Sequence, residues 1–142
     1  MTVVCGTNHP LENWLRLRYA GRKNIRVLGF TGEISLLMDS ADLYLTKPGG
    51  ISTSEAAAKA LPMVLVDAVS GCEQYNRDYF VRAGLAATAE KPRELARLCI
   101  KLLGDRERLA AMRAAGLRRP RYCSARLIYE HMSGEIEQIK EG

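Results

Sequence analysis

The sequence predicts an α/β domain, a Rossmann-like parallel sheet with helices on both faces. Three observations carry that expectation. Short apolar stretches alternate with helical ones in the order β-α-β-α-β-α-β from the N-terminus. One of them, Met63-Val64-Leu65-Val66, is apolar at every position, as suits a strand covered on both faces. Glycine-bearing loops follow three strands, Gly6-Thr7-Asn8, Gly29-Phe30-Thr31-Gly32 and Lys47-Pro48-Gly49-Gly50, at the end of the sheet where open α/β folds bind ligands. A chain of 142 residues with 47% apolar content suits a single domain over 1–142, with a sheet core over 1–90 and C-terminal helices over 91–142.

Thr2-Val3-Val4-Cys5 reads as the first strand, and a helix with Pro10 in its first turn follows, its apolar face marked by Leu11, Trp14 and Leu15. A strand at residue 2 suggests that a preceding strand-helix unit is lacking. Gly21 to Asn24 is a turn and Ile25 to Leu28 the second strand. Phe30 at its end reads as a core aromatic or as part of a ligand loop. Glu33 to Ser40 forms a helix with Ile34, Leu37 and Met38 inward, and Leu43-Tyr44-Leu45 is the third strand. A helix over Thr53 to Ala60 is broken by Leu61-Pro62 before the fourth strand. After the loop Asp67 to Gly71, a helix from Cys72 is stopped by Gly84, and Leu85 to Ala89 is the last strand. Leu95, Leu98, Cys99, Leu102 and Leu103 give the helix opened by Pro92 a buried stripe. A second helix from Asp105 carries Leu109 and Met112, and a final one from about Ser124 carries Ile128, Met132, Ile136 and Ile139.

The Lys47 loop is the richest in chemistry. Pro48 keeps Lys47 out of the helical region and has no amide donor, while Gly49 and Gly50 permit positive φ and close approach to bare backbone. Ser52, Thr53 or Ser54 is placed to cap the next helix, whose first amides, dipole and neighbour Lys47 suit a phosphate. A purely structural turn explains the local pattern equally well. The loop is neither a P-loop, which ends Gly-Lys-Ser/Thr, nor the Gly-x-Gly-x-x-Gly dinucleotide fingerprint.

Composition narrows the classes. Net charge is +5, yet Lys91 to Arg126 alone holds eleven Lys and Arg against three acids. Such a face suits a solvated helix surface, an anionic membrane or nucleic acid. Cys5, Cys72, Cys99 and Cys123 are scattered, with no Cys-x-x-Cys and no His cluster at metal spacing, so free thiols in a reducing cytoplasm and no metal are expected. Neither a signal peptide nor a spanning apolar run is seen, leaving attachment to the cytoplasmic membrane face open.

Taken in order, Cys5-Gly6-Thr7-Asn8, Gly29-Phe30, Ala41-Asp42-Leu43, Thr46-Lys47-Pro48-Gly49-Gly50, Ser54-Glu55-Ala56, Leu61-Pro62, Glu73-x-x-Asn76 and Gly84 resemble one family. It is the C-terminal, UDP-sugar-binding half of the monogalactosyldiacylglycerol synthases and processive diacylglycerol glucosyltransferases. These are inverting GT-B enzymes related to the peptidoglycan N-acetylglucosaminyltransferase. The resemblance spans roughly Val3 to Ala86. It implies that Gly49, Gly50, Ile51, Ser52 and Thr53, with Lys47, Gly6 and Asn8, bind the diphosphate of UDP. It further implies that Phe30 and Thr31 flank the uracil, that Glu55 holds the ribose, and that Glu73, Cys72 and Asn76 border the donor sugar. By position alone Glu55 also reads as a first-turn acid on the helix dipole. Ser70 and Cys72 depart from the Pro-Gly-Gln-Glu common in the family. His9 is read chiefly as a loop residue beside Pro10, and His131 as exposed.

The expected function is the donor-binding domain of a UDP-sugar-dependent hexosyltransferase acting on a diacylglycerol-type lipid, with UDP-sugar as substrate and no cofactor. Catalytic base and acceptor site are expected in an N-terminal domain that these residues do not contain, so the chain alone is expected to be inactive. The alternative is a non-catalytic anion-binding subunit that completes another chain's site. Nucleic-acid binding is disfavoured because the basic segment interleaves few aromatics beyond Tyr122 and Tyr129.

Overall fold

The structure is a computed structural model, described here over residues 1–66, 71–118, 126 and 128–133. It divides into two compact units, residues 1–41 and 42–142. The first contains β1 (Thr2–Val4), α1 (His9–Arg18), β2 (Arg26–Leu28) and α2 (Ile34–Asp39). Strands β1 and β2 are parallel, with Val3 opposite Val27. Helix α1 starts where Asn8 Oδ1 accepts the Leu11 amide at 3.1 Å, with Pro10 in the first turn.

The apolar face expected on α1 is only partly inward. Leu15 is half-buried, but Leu11 and Trp14 are exposed. Glu12 takes an inward place instead: its carboxylate is held by Arg16 at 2.8 Å and fills the space over Gly29 that a side chain there would need. In α2, Ile34 and Leu37 are half-buried and Met38 is buried, as their spacing predicts.

The second unit contains β3 (Tyr44–Thr46), α3 (Gly50–Ala58), β4 (Met63–Leu65), α4 (Cys72–Arg82), β5 (Ala86–Thr88), α5 (Pro92–Gly104) and α6 (Arg106–Leu117). Its sheet is parallel in the order β3-β4-β5. Among the described residues the hydrogen-bonded ladders are therefore two, β1-β2 and β3-β4-β5. Met63, Val64 and Leu65 have no exposed surface, as the central strand of a sheet covered on both faces requires. Val64 packs with Leu102 of α5 and Met112 of α6, joined by Leu43, Ala87, Leu95, Leu98, Cys99 and Leu109. Burial pushes the Cys99 thiol above its usual range. Leu103, read from spacing as part of the buried stripe, is 55% exposed, because it lies past the edge of the face centred on Leu95, Leu98 and Leu102.

Helix α3 ends in a left-handed residue. Ala60 has φ +50°, and the Leu61 amide reaches back to Ala56 O at 2.9 Å. Gly116 of α6 sits against this corner: a Cβ there would lie 2.8 Å from Ala60 Cα. The final helix expected from Ser124 falls largely outside the described residues, and Ile136 and Ile139 lie wholly outside them.

Candidate functional site

In a parallel sheet every strand delivers its loop to the same edge. In the second unit that edge carries Lys47-Pro48-Gly49 after β3 and, across from it, the start of α4. The Gly49 amide turns back to Lys47 O at 2.8 Å, and Gly49 enters α3 extended, with φ −72° and ψ 141°. Gly49 and Gly50 therefore use none of the positive φ that glycine allows, contrary to the expectation. What they contribute is bare backbone.

Helix α3 begins at Gly50, three residues before the predicted start, and no side chain caps it. The cap expected from Ser52, Thr53 or Ser54 is absent because all three are already helical. Thr53 is completely buried, and its hydroxyl donates to Gly49 O at 2.7 Å while its own amide also goes to Gly49 O. It fixes the loop, and both of its donors are committed away from a ligand, which corrects its expected place on the diphosphate. The first-turn amides of Gly50, Ile51 and Ser52 have no partner within the helix. Glu55 lies in the second turn and is exposed, and the first turn carries no acid, so the dipole reading of Glu55 does not hold.

The α4 start meets this loop. Gly71 has φ +100° and ψ −134°, a conformation essentially confined to glycine, and it sends the chain into α4 without a side-chain cap. Glu73 reaches Lys47 Nζ at 3.0 Å. Asn76 donates its Nδ2 to the carbonyl of buried Pro48 at 3.0 Å and lies beside Gly50. Two helix N-termini thus converge, with a cation and a carboxylate paired between them and bare glycine backbone below. Cys72 is exposed at the α4 terminus. The loop 67–70, Ser70 included, lies outside the described residues.

In the first unit, Gly6 has φ +57° in the loop after β1, and Asn8 Oδ1 is committed to capping α1. Phe30 is 78% exposed, which excludes the core reading, and Thr31 Oγ1 accepts the Glu33 amide at 3.1 Å. His9 is exposed, with Nδ1 3.7 Å from Glu12. Sequence reasoning did not single out Pro48 O as the anchor for Asn76; a buried proline carbonyl leaves no periodic signal. Among the described residues no group of three or more His, Cys, Asp and Glu is placed to hold a metal ion, and no helix is long and apolar enough to cross a membrane.

The family described as "Glycosyl transferases group 1" matches residues 1–119. A processive diacylglycerol beta-glucosyltransferase of Staphylococcus carnosus (strain TM300) is 36% identical over 112 residues, 79% of this chain and 29% of that protein. The enzyme of the same name from Staphylococcus aureus (strain Newman) is 30% identical over an equal span. The chain spans under a third of the length of these relatives. Among solved structures, one titled as the glycotransferase of kitacinnamycin is similar with a TM-score of 0.53 and 22% identity, over 66% of this chain and 26% of that one. That likeness supports the Rossmann-like α/β fold.

Proposed function

The chain belongs to the group 1 glycosyl transferases, and from that premise we propose that it is the donor-binding part of an enzyme that transfers a hexose from UDP-hexose to a diacylglycerol-type lipid with inversion. The observation that carries this reading is the convergence of the open α3 amides at Gly50, Ile51 and Ser52 with Lys47 and the α4 terminus. Such a seat takes a diphosphate and stabilises the charge that builds on it as the sugar leaves. Glu55, exposed one turn beyond, accepts from the ribose hydroxyls. Glu73 and Cys72 border the sugar, and Asn76 shapes its pocket by holding the loop. The lipid acceptor is suggested by the relatives, whose names state action on diacylglycerol. Acceptor site and catalytic base come from the rest of the protein or from a partner chain, and no metal or cofactor takes part.

The test is UDP binding to the chain by ligand-observed NMR and calorimetry. Binding is expected, without sugar transfer by the chain alone. Glu55→Ala is expected to weaken it roughly ten- to a hundredfold through loss of charged hydrogen bonds. A Cβ at Gly50 would meet only Asn76 Nδ2, at 3.9 Å, so the position has room for a side chain, and Gly50→Val is expected to block the ligand, with an unchanged far-UV circular dichroism spectrum checking that the variant folds. Absence of UDP binding, or full binding by both variants, overturns the reading.

A further inference from the structure

We propose that the outward face of α4 is a saccharide platform, on which Tyr75 and Tyr79 stack the hexose units of a glycosylated acceptor. The assignment deepens the donor reading and rests on it, since the first turn of the same helix carries Cys72 and Glu73, the residues proposed to border the sugar. One side of α4 faces its own unit: Phe80 is buried, and Glu73 and Asn76 reach Lys47 and Pro48. On the other side Tyr75 is 77% exposed and Tyr79 50%, Arg82 is exposed, and the Asp78 side chain is 46% exposed. The spacing 75, 78, 79 and 82 is i, i+3, i+4 and i+7, so these four groups share one surface, continuous with the first turn at Cys72.

The chemistry of that surface selects its ligand. A pyranose has a face of C–H groups that lies flat on an aromatic ring and a rim of hydroxyls that pairs with polar side chains. Tyrosines one helical turn apart, with roughly 5–6 Å between their Cβ atoms, match neighbouring hexoses of one saccharide. The Tyr79 ring meets buried Phe80 edge-on, with centroids 5.1 Å apart and planes at 78°, so it is braced before a ligand arrives. Asp78 Oδ1 accepts from Arg77 Nε at 3.1 Å, and among the described residues no donor reaches its other oxygen, which suits a sugar hydroxyl. A single-stranded nucleic acid also stacks on aromatics but needs a cationic track, whereas α4 balances Glu73 and Asp78 against Arg77 and Arg82.

The test is saturation-transfer NMR of the full chain with methyl β-glucoside, cellobiose and, below its micelle concentration, octyl β-glucoside, with UDP titrated in parallel. Cellobiose is expected to bind about five- to tenfold more tightly than methyl β-glucoside, because it spans both rings. Octyl β-glucoside binds like methyl β-glucoside, since the rings read the sugar and not the alkyl chain. Tyr75→Ala lowers cellobiose affinity about five- to tenfold, and Tyr75→Phe, which keeps the ring, stays within about twofold of the unaltered chain. Tyr79→Ala removes the preference for cellobiose, and Tyr79→Phe, which keeps the packing on Phe80, retains it. UDP affinity stays unchanged in all four variants. UDP binding without saccharide binding, cellobiose binding untouched by Tyr75→Ala, or equal losses in Tyr75→Ala and Tyr75→Phe overturns the platform and leaves the donor reading standing. Saccharide binding through Tyr75 without UDP binding upholds the platform and overturns the donor reading.

Discussion

Asn76→Asp turns the donor that reaches Pro48 O into an acceptor facing an acceptor. The expected cost is about 1–3 kcal/mol of stability, read by urea denaturation, together with weaker UDP binding because the glycine loop loses its tether. Residue chemistry of this kind was half legible. The Lys47-Pro48-Gly49-Gly50 stretch was readable as a loop of bare backbone leading into a helix, because proline and glycine act on the local backbone wherever they stand. Thr53 was not readable as a buried anchor, since a hydroxyl one turn into a helix looks the same in sequence whether it faces solvent or the carbonyl of Gly49. Phe30 shows the limit of composition: most aromatics pack inside, and this one stands exposed on a loop. The Lys47–Glu73 pair was not readable either, since the two residues lie far apart in sequence and meet only where the α3 and α4 starts converge.

At the scale of elements, α3 is pinned at both ends by small residues. Its N-terminus opens on bare glycine, and its C-terminal corner at Ala60 carries the backbone of α6 at Gly116. Gly116→Ala would bring a methyl group within 2.8 Å of Ala60 Cα, 2.9 Å of its Cβ and 3.0 Å of Leu85 Cδ1. The expected loss is about 1–3 kcal/mol, seen as an earlier thermal midpoint, and Ala60→Gly in the same chain recovers part of it. The existence and order of these helices were legible from apolar spacing and from Pro62, Gly84 and Pro92. The start of α3 was not. Serine and threonine are the usual caps, yet Gly49 in an extended conformation begins the helix with no cap at all.

For the whole molecule, ligand linkage gives the simplest check. UDP at ten times its dissociation constant is expected to stabilise the chain by about 1.4 kcal/mol, raising the thermal midpoint by roughly 3–6 °C; no shift at saturating UDP counts against the donor reading. The α/β class was legible because strand and helix periods differ. The division of the parallel ladders into β1-β2 and β3-β4-β5 was not, because partners in a parallel pair lie far apart in sequence and share no local signature. Trp14 gives this division an optical use. It is the only tryptophan in the chain and lies on α1, in the unit formed by residues 1–41. Indole emission during unfolding thus belongs to that unit alone and times its loss without any added label.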